Sequence, residues 1–162
     1  MRLNTASAVI AFAGRLEEEA AAFYERLATA HPARASRFLD LARENRKNKA
    51  RIERSYYGVI TDAIEGSFTF DLAVDGYTLD PGLPADYRQA LAQAGALEER
   101  IIRFYREAAR QSRALLADIP GVMAAIARKR EARVAELESL ARETQGPGHF
   151  GGTTLHGRED AR

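Results

Sequence analysis

Two stretches of the chain carry nearly the same pattern, "LEEEAAAFYERLA" at residues 16–28 and "LEERIIRFYREAA" at residues 97–109. In each, a Glu stands seven residues before a Tyr: Glu17 and Tyr24, then Glu98 and Tyr105. Seven residues make about two helical turns, so the Glu and the Tyr share one helix face. That face also carries apolar side chains that should be buried. The repeat therefore predicts two equivalent helices, each with a Glu on its inward face.

Composition sets the class of fold. The 162 residues suit a single domain, and a chain rich in Ala, Leu, Glu and Arg with 5 Pro and no Trp favours long helices. The 24 basic and 23 acidic residues nearly cancel, so we expect neither nucleic-acid nor membrane binding. The absence of cysteine excludes disulfides, thiolate metal sites and thiol nucleophiles, and it is consistent with the cytoplasmic location that we predict.

Apolar periodicity predicts four helices at about residues 7–30, 33–57, 85–112 and 119–143. Residues 58–84 lose this period and collect Gly, Asp and Pro, so they are predicted to form a long crossover. Two short connections and one long one between four helices are typical of a four-helix bundle made of two helix pairs. We therefore predict an all-α fold.

Local signals refine these boundaries. We expect Ser7 to cap the first helix, Pro84 or Ala85 to begin the third, and Asp118 to cap the fourth. In the crossover we expect a helical turn around Thr61–Glu65 and an extended piece near Phe68–Phe70. The bundle domain is predicted to span residues 1–144, followed by a flexible Gly-rich tail at 145–162 that is available to an unidentified protein partner.

The second helix of each pair places polar residues on its apolar line. In one the line is Phe38, Leu41, Asn45, Asn48, Ile52 and Tyr56; in the other it is Val122, Ile126, Arg130, Arg133, Leu137 and Leu140. The two helices also resemble each other, with "LARENRKNKARI" at 41–52 matching "IARKREARVAEL" at 126–137. A duplicated helix pair explains both repeats.

The doubled Glu-to-Tyr motif, the related second helices and the crossover together resemble the rubrerythrin branch of the ferritin-like superfamily, over residues 8–57 and 85–143. No cysteine is present for a rubredoxin-type module. The resemblance implies that each pair supplies one Glu from its first helix and a Glu-x-x-His from its second. In that family the resulting site binds two irons, and such proteins react with peroxide, oxygen or ferrous iron.

Most of the six positions that match those ligands carry other residues. The lone glutamates are Glu17 and Glu98, but the first Glu-x-x-His falls on Asn45 and Asn48, and the second on Arg130 and Arg133. His31, His149 and His156 lie outside the helical positions concerned. The six side chains sum to zero charge, and guanidinium is a poor metal ligand. We therefore expect a metal-free polar core without a cofactor, in which the hydroxyls of Tyr24 and Tyr105 bond to the central cluster.

Other interpretations remain open at this point. Glu17 and Glu98 can instead point into water, with Arg130 and Arg133 extending outward. A turn of about 100° in each second helix would bring Glu44 and Glu131 inward, beside Glu17 and Glu98. Such a histidine-free carboxylate site would support an iron-dependent peroxidase or ferroxidase. It would also expose three apolar residues, Leu41, Ile52 and Ile126.

The leading functional prediction is a rubrerythrin-like or ferritin-like protein of unassigned role, acting as a non-catalytic binding or scaffold protein. We expect a homodimer, with contacts from four aromatic residues, Tyr56, Tyr57, Phe68 and Phe70. The second helix also carries a basic outer stripe, made of Arg34, Arg37, Arg43, Arg46, Lys47, Lys49, Arg51 and Arg54. Acidic residues on the neighbouring helix are expected to balance it. A third interpretation is that the polar centre binds a small polar ligand.

Overall fold

The computed structural model describes residues 1–58, 70–79, 82–84, 86–113 and 118–144. Within these ranges the chain forms four long helices and one small pair of strands. The elements are β1 (Arg2–Leu3), α1 (Ala6–Ala30), α2 (Ala35–Tyr57), β2 (Leu72–Ala73), α3 (Tyr87–Gln111) and α4 (Ile119–Glu143). The prediction of an all-helical four-helix arrangement is confirmed, apart from the two short strands.

The helices pack as two pairs. α1 packs mainly against α2, and α3 mainly against α4, while α1 also contacts α3 and α2 contacts α4 across the bundle. The core is built from one apolar stripe of each helix, and its largest members include Phe23, Phe38 and Phe104. No helix in the described part of the chain is long and apolar enough to cross a membrane.

Two of the helix starts differ from the predictions. Thr5, rather than Ser7, caps α1, because Thr5 has an extended backbone and its Oγ1 accepts from the Ala8 amide at 3.1 Å. Asp86 caps α3 in the same way, accepting from the Gln89 amide at 2.8 Å, so the helix begins later than Pro84. In both cases an extended residue with a short acceptor side chain determines the start.

The other two helix starts also need correction. A single 3₁₀ turn at Pro32–Arg34 delays α2 until Ala35. Asp118 does stand at the start of α4, but its side chain makes no capping bond because its backbone is already helical. The predicted positions of the helices therefore hold to within a few residues. The predicted starts of α1, α2 and α3 are wrong, whereas Asp118 stands at the predicted start of α4 without making a capping bond.

The strand pair was not predicted. β1 and β2 are antiparallel, with Arg2 opposite Ala73 and Leu3 opposite Leu72. The Phe70 amide donates to the Asn4 carbonyl at 3.1 Å and continues this contact. The turn expected at Thr61–Glu65, most of the extended piece near Phe68–Phe70, and the tail from residue 145 lie outside the described residues.

A buried Glu/Arg/Asn core as the candidate functional site

The structure brings the six predicted site residues to the centre of the bundle. Four of them are fully buried: Glu17, Asn45, Glu98 and Arg130. The other two, Asn48 and Arg133, are at most 5% exposed. The interpretation in which the two glutamates point into water is therefore wrong. Each side chain is inward because it occupies the apolar line of its own helix.

Arg130 is the hub of this polar core. From α4, its guanidinium donates to Glu98 Oε2 at 2.5 Å, to Glu17 Oε2, and to Asn45 Oδ1 at 2.7 Å. One side chain thus connects all four helices. The planar guanidinium suits this role because it presents several donors in fixed directions and stays protonated when desolvated.

Arg133 extends the network towards the surface. Its Nη1 donates to Glu98 Oε1 at 2.9 Å and to Asn45 Oδ1 at 3.1 Å. Its Nη2 donates to Glu44 Oε2 at 2.8 Å, and the Glu44 side chain is 31% exposed. The sequence did not indicate this role for Glu44, since a Glu one position off the apolar line normally faces solvent.

The two repeated tyrosines bond crosswise between the helix pairs. Tyr24 on α1 donates to Glu98 Oε1 at 2.6 Å, and Tyr105 on α3 donates to Glu17 Oε1 at 2.8 Å. Burial, and then the adjacent carboxylate, raises the pKa of both tyrosines well above 10. The hydroxyls therefore stay protonated and act as donors, as the sequence predicted.

Charge is balanced inside the network. Burial alone would raise the pKa of Glu98, but the nearby Arg130 and Arg133 charges, with the bond from Tyr24, lower it below its ordinary value. Burial alone would lower the pKa of Arg130, but the carboxylates of Glu17 and Glu98 raise it. The Glu98 carboxylate and the Arg130 guanidinium therefore stabilise each other as ions inside the network.

The network leaves a few donors unpaired. Among the described residues, Arg130 Nε, Asn45 Nδ2 and Asn48 Nδ2 are buried without a hydrogen-bond partner. The expected closure of the network through both asparagines is therefore only half present, since Asn45 accepts from two arginines while the Asn48 amide donates to none of these groups. Of the two asparagines, Asn45 is therefore the one that accepts hydrogen bonds from Arg130 and Arg133.

The donor set does not fit a di-iron centre. Each of the four carboxylate oxygens of Glu17 and Glu98 already accepts a hydrogen bond from Arg130, Arg133, Tyr24 or Tyr105. Arg130 and Arg133 bond directly to these carboxylates, and a protonated guanidinium has no lone pair to offer a metal ion. The described residues contain no cluster of three His, Cys, Asp or Glu side chains suited to a metal ion.

The alternative site of four glutamates is not assembled either. Glu131 lies on the outside, where it accepts from Arg106 at 2.6 Å, and Glu44 lies at the edge, bonded to Arg133. The residues that a rotated helix would expose are all buried: Leu41, Ile52 and Ile126. The helices α2 and α4 therefore turn towards the core the faces that their apolar lines predicted.

Two surface predictions have different outcomes. Along the basic stripe of α2, Arg46 pairs with Glu18 and Glu25 of α1 and Lys49 pairs with Glu18, as expected. Two further pairs do not involve α1: Arg37 with Glu136 of α4, and Arg43 with Asp40 of α2 itself. Of the aromatics proposed for a dimer contact, Tyr56 and Phe70 are buried within the chain, so they do not supply an exposed surface. Tyr57 is exposed, and Phe68 lies outside the described residues.

No protein-family model matches this chain, and no curated protein or solved structure shows significant similarity to it.

Proposed function

We propose that this protein is a ferritin-like bundle of the rubrerythrin type, in which a Glu/Arg/Asn network has replaced the di-iron centre. In this proposal it acts in the cytoplasm as a non-catalytic binding or scaffold protein. The main support is that all four carboxylate oxygens of Glu17 and Glu98 are bonded to side chains of the same chain. The repeated Glu-to-Tyr motif supports the shared ancestry.

The physical basis is the cost of burying like charges. A centre of four buried carboxylates needs cations, because without them the carboxylates repel one another in a medium of low dielectric constant. Here Arg130 and Arg133 bring that positive charge as part of the polypeptide. The centre is therefore charge-balanced as soon as the chain folds, and the bundle does not depend on a supply of metal.

Peroxide turnover with iron supplied tests this proposal. The protein is purified from cells grown with added iron, and its bound iron and peroxide consumption are measured beside Glu18→Gln and Glu17→Gln variants. Glu18 is the matched control because it neighbours Glu17 in sequence but lies outside the core, with a side chain that is 45% exposed. We expect neither stoichiometric iron nor turnover in the wild type. Stoichiometric iron with turnover that Glu17→Gln abolishes and Glu18→Gln retains would overturn the proposal.

We also propose that the bundle is a homodimer. The support is Tyr57, whose side chain at the end of α2 is 75% exposed and offers an aromatic contact surface. Light scattering coupled to gel filtration gives the mass directly. A dimer that Tyr57→Glu converts to monomer supports this contact, whereas a monomeric wild-type protein rejects it.

A further inference from the structure

The outer seam between α3 and α4 holds a groove of about 600 Å³ near the start of α4. Its floor is made of small residues, Ala109, Gly121, Ala124 and Ala127, beside Pro120. Its rim carries four arginines, Arg106, Arg110, Arg113 and Arg128, and among the described residues Glu131 is its one acidic lining residue. The volume is within the range of binding sites for ligands of moderate size.

The positive charge of this groove is only partly neutralised. Arg106 is bonded to Glu131, and Arg110 is bonded to Glu107 beside the groove. The bond from Arg110 is the main reason that the pKa of Glu107 falls to about 2, so Glu107 is ionised and committed to that arginine. Arg113 and Arg128 have no carboxylate partner in the described part of the chain. The groove therefore keeps two uncompensated guanidiniums.

A groove on the other helix pair provides a comparison. Between α1 and α2 lies one of about 520 Å³, lined by Arg15, Lys49, Glu18 and Glu53 together with two tyrosines. Its two positive and two negative side chains cancel. Since the whole chain has a net charge of only +1, the arginine excess is a local property of the α3/α4 seam.

We propose that the α3/α4 groove binds an acidic peptide segment of a partner protein. Arg106 and Arg110 lie four residues apart on α3, which is about 6 Å along the axis, and Arg113 follows just after the end of the helix. Alternate residues of an extended peptide are spaced at roughly 6.6 Å. Carboxylates at such spacing can each meet an arginine, and the small floor leaves room for short apolar side chains between them.

Carboxylates of a peptide fit this groove better than phosphates of a nucleic acid. Single-stranded nucleic acid is normally held by aromatic side chains on which bases stack, in addition to basic residues. In the part of the chain that the structure describes, the α3/α4 groove is lined by no aromatic residue, whereas Tyr56 and Tyr57 line the balanced groove on the other pair. Arginines around a small apolar floor suit alternating carboxylate and short apolar side chains.

This inference names the partner class for the binding role proposed above, but it rests on residues of the outer seam. The two proposals can therefore fail separately, because iron content and peroxide turnover report on the core while peptide binding reports on the groove.

The test is fluorescence anisotropy with a labelled dodecapeptide of alternating Glu and Ala, at low ionic strength. The double variant Arg113→Glu/Arg128→Glu should weaken binding by at least about tenfold, because it places like charges against the peptide. Arg51→Glu/Arg54→Glu, two exposed arginines of α2 outside the groove, is the charge-matched control and should change Kd less than about threefold.

A steric pair of variants avoids any change in charge. A Cβ added at Gly121 or at Gly95 meets no atom within 4 Å, and both glycines are helical, but only Gly121 lines the groove. Gly121→Trp should therefore reduce peptide binding while Gly95→Trp should not. Three outcomes would overturn the proposal: no binding by the wild type, equal losses in test and control variants, or tighter binding of oligodeoxythymidylate that the groove variants weaken.

Discussion

Two arginines of this protein make nearly the same contacts in opposite environments. Arg130 joins Glu17 and Glu98 in the core, where all three side chains are 0% exposed. Arg46 joins Glu18 and Glu25 on the surface, where the three side chains are 43–45% exposed. Glu17 and Glu18 are adjacent in sequence, so a single step around α1 decides which environment a glutamate enters.

The difference shows that an arginine–glutamate ion pair affects the stability of the fold differently on the surface and in the core. In water, an ion pair gains little because solvent already screens the charges and the long side chains lose freedom. In the core, the attraction is stronger but is largely cancelled by the cost of desolvation. The buried network therefore adds little net stability as a whole, yet each member depends strongly on the others.

The largest effect is expected from removing the hub of the core. Arg130→Ala should lower the free energy of unfolding by about 3–5 kcal/mol, because it leaves Glu17 and Glu98 buried without their common partner. Urea denaturation followed by circular dichroism measures the change. A loss below about 1 kcal/mol, the range of a surface pair, would contradict the interior account.

The crosswise tyrosines are expected to have the next largest effect. Tyr105→Phe should cost about 1.5–3 kcal/mol, the range for a hydrogen bond to a charged group, because Glu17 loses a donor. Tyr57→Phe, on an exposed ring, is the matched control and should change stability little. Equal effects of the two substitutions would show that the buried hydroxyl contributes nothing specific.

Alkaline pH provides a separate test of the same tyrosines. Their folded-state pKa is raised above the unfolded value of about 10, so their contribution is fully present below that pH and declines as pH rises through the folded pKa. Stability should fall above pH ~10, and less steeply in Tyr24→Phe/Tyr105→Phe. If stability falls with pH as steeply in the double variant as in the wild type, the two tyrosines do not cause the loss of stability at alkaline pH.

Acid pH tests the buried carboxylate against an exposed one. The pKa of Glu98 is lowered in the folded state, so its contribution is present above the unfolded value of about 4.3 and is lost as pH falls through the folded pKa. Glu98→Gln should reduce the slope of stability against pH in this window more than the matched substitution Glu18→Gln does, because solvent and salt screen a carboxylate at the surface. Identical acid titrations of the two variants would contradict the assigned cause.

The smallest effect is expected on the surface. Arg46→Ala should change the free energy of unfolding by about 0–1 kcal/mol, and added salt should reduce even that. Denaturation at low and high ionic strength measures both. A loss as large as that of Arg130→Ala would remove the distinction between the two arginines.

The interior could be predicted from the sequence because it follows helical periodicity. The repeated Glu-to-Tyr motif and the apolar lines of the second helices place Glu17, Asn45 and Arg130 on inward faces before any coordinate is known. The contact of Arg130 with Glu17 follows once four such faces meet, because buried opposite charges are costly unless they pair with each other.

The remaining features depend on information that periodicity does not contain. Whether Thr5 or Ser7 caps α1 is decided by one pair of backbone angles. The pairing of Leu3 with Leu72 joins two-residue strands far apart in sequence, which leave no repeating pattern. Glu44 joins the core only because Arg133 is long enough to reach the edge.

Metal content is the measurement that tests the central claim most directly, namely that guanidinium groups balance the charge which metal ions would otherwise balance. The fourfold variant Asn45→Glu/Asn48→His/Arg130→Glu/Arg133→His places around Glu17 and Glu98 the ligand set that the rubrerythrin resemblance implies. After loading with ferrous iron and desalting, the account predicts about two irons per chain in this variant and far less than one in the wild type. Stoichiometric iron in the wild type, lost on Glu17→Gln, would contradict it.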